Sequence, residues 1–241
     1  MKRMIAWILA AMLLMSLCAC SGEKPQTGAT GQTSETQDVQ QGNSEETSGE
    51  EMTPAQTVTV DAVKAAPETS SEQFDYDTEE DGVVIIEYTG NGGIVAVPAS
   101  IDGVNVVEID DKAFVNCDNV TAVRIPDGVQ KIGDHVFENC TGLQIFISGK
   151  SVKSIGEYAF NSCRSLMTVE LNEGLEELET LCFGGSGLKE LEVPSTVNKV
   201  VAAFRGKSSE DPFVIIGEAG SYIDTYVQEN GESRCLEFRQ K

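Results

Sequence analysis

Residues 106–126 read Val-Val-Glu-Ile-Asp-Asp-Lys-Ala-Phe-Val-Asn-Cys-Asp-Asn-Val-Thr-Ala-Val-Arg-Ile-Pro, and the chain says this phrase four times. Phe114, Phe137, Phe160 and Phe183 stand 23 residues apart. Ile109, Ile132, Ile155 and Leu178 keep the same step, as do Cys117, Cys140 and Cys163. A fixed period of this size marks one coil of a solenoid. A single coil cannot bury its own apolar residues, so successive coils bury them against one another.

Within each coil the triads Val120-x-x-Val123-x-Ile125, Leu166-x-x-Val169-x-Leu171 and Leu188-x-x-Leu191-x-Val193 predict short strands with apolar residues facing inward. Stacked coil on coil, they form a parallel sheet. The Ala-Phe-x-x-Cys piece predicts one helical or 3₁₀ turn across the coil, its phenylalanine filling the space between layers. Upstream, Val83–Tyr88 and Ile94–Val97 read as strands separated by Gly90-Asn91-Gly92-Gly93, a turn signal. Pro98, Pro126 and Pro194 each follow a strand and stop its ladder, since proline has no N–H to donate.

The 23-residue phrase resembles the BspA-type leucine-rich repeat family over residues 74–241. The resemblance implies an α/β leucine-rich-repeat solenoid, a curved right-handed coil of short parallel strands with one-turn helices or 3₁₀ turns opposite. It also implies a bacterial surface protein that binds other macromolecules. On this reading residues 74–105 are an N-terminal cap rung, 106–196 four repeats, and 197–241 a degenerate rung with a C-terminal cap.

Two departures from the phrase carry expectations. In the second repeat Phe146 and Ser148 occupy the Val and Ile slots, which predicts a bulge near Gln144 and a longer turn at Ser148–Ser151. In the fourth, Gly184-Gly185-Ser186-Gly187 is one residue short and predicts a tighter turn. Beyond it, Phe204 is expected at a frayed end, Phe213–Ile216 as a last full strand, and Ser221–Glu229 as a helix stopped by Asn230-Gly231. Cys235–Phe238 reads as a short apolar strand.

At the other end, Lys2 and Arg3 precede an apolar run to Leu17, the order of an export signal, residues 1–20. Leu17-Cys18-Ala19-Cys20 resembles a bacterial lipobox with Cys20 as lipid acceptor; Cys18 departs from the usual pattern, and a plain secretory cut near Ala19 is the alternative. Residues 21–73 hold ten acids against two lysines and few large apolar side chains, so disorder is expected throughout, with the weakly apolar patch Val58–Ala66 forming at most a transient helix or strand. Export and lipidation together place the repeat domain at the outer face of a bacterial cell membrane.

The formal net charge of −22 repels nucleic acid, and no phosphate-binding loop or calcium loop is present in the repeats. His135 is the single histidine and no nucleophile stands beside it in sequence, so no catalytic residue, no metal site and no cofactor is expected. Cys117, Cys140 and Cys163 read as a ladder of small buried thiols, with a disulfide or a soft metal as the alternatives. The outward residues of the strands are Ala122 and Arg124, then Ile145 and Ile147, Thr168 and Glu170, and Glu190 and Glu192. An apolar centre at Ile145 and Ile147, ringed by Arg124, Glu170 and Glu192, is the expected contact site for a protein or glycan ligand. The competing reading has a bulge rotate Ile145 or Ile147 inward and Phe146 out, or a neighbouring loop cover the pair. A structural or accessory role beside a partner of the same cell is the second functional reading, and hydrolysis the third.

Overall fold

The computed structural model describes residues 58–241, all within the unit Met52–Lys241. The export signal, Cys20 and most of the acidic linker lie outside the described residues.

The chain enters as helix α1 (Val60–Ala65), a 3₁₀ turn (Ser71–Gln73) and β1 (Phe74–Thr78). Then come β2 (Val83–Tyr88), β3 (Gly93–Ala96), β4 (Ser100–Ile101), β5 (Val104–Ile109), β6 (Val120–Arg124) and β7 (Lys131–Ile132). They continue with β8 (Ile145–Ile147), β9 (Ser154–Ile155), β10 (Thr168–Glu170), β11 (Glu177–Leu178), β12 (Glu190–Glu192) and β13 (Lys199–Val200). The end is β14 (Phe213–Gly217), helix α2 (Tyr222–Arg234) and β15 (Leu236–Gln240).

Each of the first four coils contributes one strand to each of two parallel stacks. One runs β3-β6-β8-β10; the other runs β2-β5-β7-β9-β11-β13, with β1 capping it antiparallel and β4 attached to β5. Between them lies the phenylalanine ladder. Phe114, Phe137, Phe160, Phe183 and Phe204 follow ring to ring with centroids 5.0–6.0 Å apart. Spacings of this size suit aromatic packing, and each buried ring removes a large apolar area from water.

The Ala-Phe-x-x-Cys segment forms linked turns closed by bonds such as Val115 N–H to Lys112 O and Cys117 N–H to Phe114 O. It does not wind into a continuous helix, because alternate N–H groups are committed to the next coil. Lys112, Phe114 and Asn116 donate to Asp134, Val136 and Glu138. This alternation places Lys112, Asn116, His135, Asn139, Tyr158 and Ser162 at positive φ, the same two slots in each coil.

The second repeat keeps its register, which corrects the expected bulge. Ala122, Val123 and Arg124 pair with Ile145, Phe146 and Ile147, and these with Thr168, Val169 and Glu170. Gln144 N–H donates to Thr121 O at 2.8 Å and Ser148 N–H to Glu170 O at 2.9 Å, so the ladder is unbroken. Phe146 fits the valine slot because the rings of Phe137 and Phe160 receive it edge-on, 5.6 and 4.6 Å away. In the next slot the Ser148 hydroxyl accepts from Asn172 at 3.1 Å.

The short fourth repeat has a larger consequence than a tight turn. The first stack ends at β10, and β12 joins a separate sheet, β12-β14-β15. Nor is the C-terminal end frayed. Phe204 is fully buried against Phe183, Phe213 and Tyr226. Helix α2 also runs past Asn230-Gly231: Asn230 Nδ2 donates back to Tyr226 O, and the left-handed stop falls at Cys235.

The linker is ordered at its end, against expectation. Thr59 caps α1 through its hydroxyl, and Val63 is fully buried. A six-residue helix is marginal in water by itself, so packing supplies its stability.

Candidate binding face

The outward side of the β3-β6-β8-β10 stack is a grid set by the ladder. One row reads Ile94, Ala122, Ile145, Thr168; the other reads Ala96, Arg124, Ile147, Glu170. Side chains alternate faces along a strand, so both rows point away from the phenylalanine core. Ile145 and Ile147 thus face outward between Arg124 and Glu170, as their positions predict. They are not exposed, however: 5% and 7% of their surfaces remain accessible.

Val58–Ala66 covers them. Val63 joins Ala122, Ile145 and Ile147 in a second apolar cluster, with Val58, Val60 and Ile94 packed against it. Burying one valine contributes about 1.5–3 kcal/mol. Lys64 Nζ meets Glu170 Oε2 at 2.8 Å, and Arg124 donates to Ala66 O at 2.9 Å. The connection that follows is pinned at Thr69, whose N–H donates to Ala96 O at 2.8 Å and whose hydroxyl accepts from Ala96 N–H at 3.1 Å.

Four of the five expected contact residues are therefore brought together, and all four touch the chain's own strap. Glu192 stands apart. It lies in the β12-β14-β15 sheet and pairs with Lys241, as neighbouring Glu190 pairs with Arg239 at 2.9 Å. Val60, Val63, Lys64 and Ala66 are the residues that sequence reasoning missed. Their signal was present as three valines within nine residues of an otherwise polar stretch.

The remaining candidates have structural explanations. Glu108–Lys131, Glu176–Lys153 and Glu177–Lys199 pair between adjacent coils at 2.7–2.9 Å. Asp111 and Asp134 each accept the backbone N–H of the residue 23 further on, at 2.7 Å. His135 stacks on Tyr158 with centroids 5.1 Å apart and bonds Glu138 through Nδ1 at 2.7 Å, so it is held between coils with part of its ring still open to solvent. Hydrogen bonds from Asn161 and then His135 hold the Glu138 carboxyl below its usual range.

The cysteines among the described residues are free thiols. Cys140 Sγ donates to Phe114 O at 2.9 Å and Cys163 Sγ to Phe137 O at 3.0 Å. Burial pushes the Cys163 thiol up to about 12, and Cys140 and Cys182 are raised by the same cause. Such thiols are poor nucleophiles, since the thiolate is the reactive form. Among the described residues no group of three acidic, cysteine or histidine side chains is placed to hold a metal ion, and no helix is long and apolar enough to cross a membrane.

A family model described as BspA-type leucine-rich repeat region matches residues 100–210 in six copies. No curated protein matches the chain. Among solved structures, a leucine-rich repeat protein of T. pallidum is 24% identical with TM-score 0.43, covering 73% of this chain and 100% of its own. One from Bacteroides ovatus is 30% identical with TM-score 0.47 over 54% of this chain, which spans 36% of that protein. A leucine-rich cell surface protein from Faecalibacterium prausnitzii is 22% identical with TM-score 0.36, covering 64% of this chain and 55% of its own.

Proposed function

From the match to a BspA-type leucine-rich repeat region over residues 100–210, we propose that the chain is an exported lipoprotein whose solenoid binds a protein or glycan at the outer face of the bacterial membrane. One observation carries the binding half of this reading. The β3-β6-β8-β10 face holds a contiguous apolar strip, Ile94, Ala122, Ile145 and Ile147, on the side away from the core, and it already grips a peptide segment. Apolar residues that are contiguous rather than scattered suit a contact surface. The anchoring half rests on Leu17-Cys18-Ala19-Cys20. A diacylglyceryl thioether at Cys20 brings two acyl chains, the attachment that stable membrane binding takes. No catalytic step is assigned, because His135 is engaged by Glu138 and Tyr158 and the buried thiols are protonated.

Cys20→Ser tests the anchor: the variant should leave the membrane fraction for the medium, and a variant still membrane-bound with normal processing refutes lipidation. Binding is tested with immobilised chain presented in parallel to extracellular matrix proteins, acidic and neutral glycans, and envelope extract of the producing cell. Selective retention of a matrix protein or glycan supports the reading. Retention confined to the cell's own envelope proteins assigns the accessory role instead.

A further inference from the structure

The Val58–Ala66 strap meets its face in an apolar cluster of its own, apart from the main core. We propose that the β3-β6-β8-β10 face is a docking surface for a short amphipathic helix of a partner protein, and that the strap is an intramolecular stand-in which the partner displaces. This rests on the reading of the chain as a binding solenoid and supplies the partner's chemistry.

Three observations support displacement. First, the strap belongs to no coil: it packs in its own apolar cluster outside the main core. Its helix has six residues, too few to persist without the face. Elements of this kind open locally at low cost compared with core strands.

Second, the face reads a helix by position and charge. Val60 and Val63, three residues apart, lie on one side of α1 and meet Ile145, Ile147 and Ala122. Lys64 reaches Glu170 on the last strand of the stack, and Arg124 reaches the carbonyl of Ala66 at the helix C-terminus. A cation at that end complements the helix dipole.

Third, the fit is incomplete. Arg124 Nε is buried with no hydrogen-bond partner among the described residues. A buried donor left unmade is costly. Beside the strap a cleft of about 520 Å³ lies between Ala62, Ala65, Pro67 and Thr69 on one side and Tyr88, Gly92 and Ile94 on the other. The Lys64–Glu170 pair is itself half exposed and therefore weak.

The partner follows from these gaps. It is a helix with aliphatic residues three apart, a lysine after the second, and a carboxylate beyond it to take the free Arg124 donor. In this chain the carboxylate next beyond Ala66, Glu68, is committed to the Ala99 N–H at 3.1 Å, and Arg124 meets only the Ala66 carbonyl.

The test uses the full chain purified in mild detergent, wild type and Val63→Asp. Its probes are a labelled peptide of residues 55–70 and the same peptide with Ala66→Glu. The Val63→Asp chain should bind the own-sequence peptide at least tenfold more tightly than wild type, and the Ala66→Glu peptide more tightly still. Adding Ile147→Asp to that chain should abolish binding. Equal binding by wild type and Val63→Asp overturns displacement, as does no binding by a Val63→Asp chain that keeps its melting transition. If Val63→Asp unfolds the protein, Lys64→Glu takes its place, with about a threefold gain expected and no gain counting against the proposal. A wild-type dimer in sedimentation velocity that dissociates on Val63→Asp would show the occupant to be a second copy and overturn the partner assignment. These measurements are made in solution and do not depend on lipid, so failure of the Cys20 experiment leaves them standing, and their failure leaves the export reading untouched.

Discussion

The Arg124 guanidinium donates to the carbonyl oxygen of Ala66 at 2.9 Å, joining β6, the second strand of the β3-β6-β8-β10 stack, to a segment 58 residues earlier. Because Arg124 is the outward neighbour of Ile147, the contact ties linker to solenoid beside the apolar strip. The face that sequence reading assigns to a ligand is thus held by the chain itself, and its stability and accessibility are coupled.

The phenylalanine ladder should respond evenly along its length. Phe137, Phe160 and Phe204 are each fully buried, and each meets three other aromatic rings. Truncation to alanine at each should cost about 3–5 kcal/mol by chemical denaturation, the range for buried aromatics. A loss at Phe204 of less than about 1 kcal/mol would show the C-terminal cap to be loose, contrary to its packing.

The ladder was legible because its period repeats. Phe114, Phe137, Phe160 and Phe183 announce one slot, and coil stacking forces like residues into contact. Phe146 was harder. Its misfit to a valine slot suggested a bulge, whereas the space that receives it exists only between two rings contributed by different coils. The strap was least legible. Val58, Val60 and Val63 form no period with the repeats, and their partners Ile94, Ala122, Ile145 and Ile147 lie 31 to 89 positions away from them. Short helices depend on such tertiary partners, which composition alone does not reveal. The export signal and Cys20 are legible only as sequence.

Gly142 should tolerate no side chain. A Cβ there would stand 2.1 Å from the Asp118 carbonyl oxygen of the preceding coil, and Gly187 has the same relation to Arg164 at 2.3 Å. Gly142→Ala should therefore destabilise by about 1–3 kcal/mol, the range for overpacking, although the residue's φ is ordinary. A neutral effect in thermal and urea unfolding would mean that the coils separate locally at little cost.

The thiols set an alkaline limit. Cys163 is raised by burial from 9.0 to about 12, so the folded protein keeps a proton that the unfolded chain releases. Stability from this group is fully present below 9.0 and is lost as pH rises toward the folded value. Within that window each unit of pH should remove up to about 1.4 kcal/mol per thiol. Cys163→Ala should flatten the slope of unfolding free energy between about pH 8 and 10.5 relative to wild type. In the folded state at pH 8, a disulfide-exchange reagent should label the half-buried Cys117 and Cys235 before Cys140, Cys163 or Cys182. An unchanged slope in Cys163→Ala would place that thiol in contact with water.

Ile147→Ser isolates the coupling between strap and face. The isoleucine is 7% exposed and lies outside the phenylalanine core, in the cluster with Val63 and Ile145. Replacing it removes apolar area worth about 1.5–3 kcal/mol, but the backbone ladder of β8 with β6 and β10 does not need the side chain. The loss should therefore fall on the strap first. Hydrogen exchange at the amides of Val63 and Ala66, which bond Thr59 O and Val63 O, should accelerate while Phe137 and Phe160, bonded to Ala159 and Cys182, stay protected. The melting temperature should drop only slightly if the strap opens as its own unit. Uniform acceleration across strap and coils would instead mean that α1 and the solenoid unfold together, and the strap would then be part of the fold rather than a removable cover.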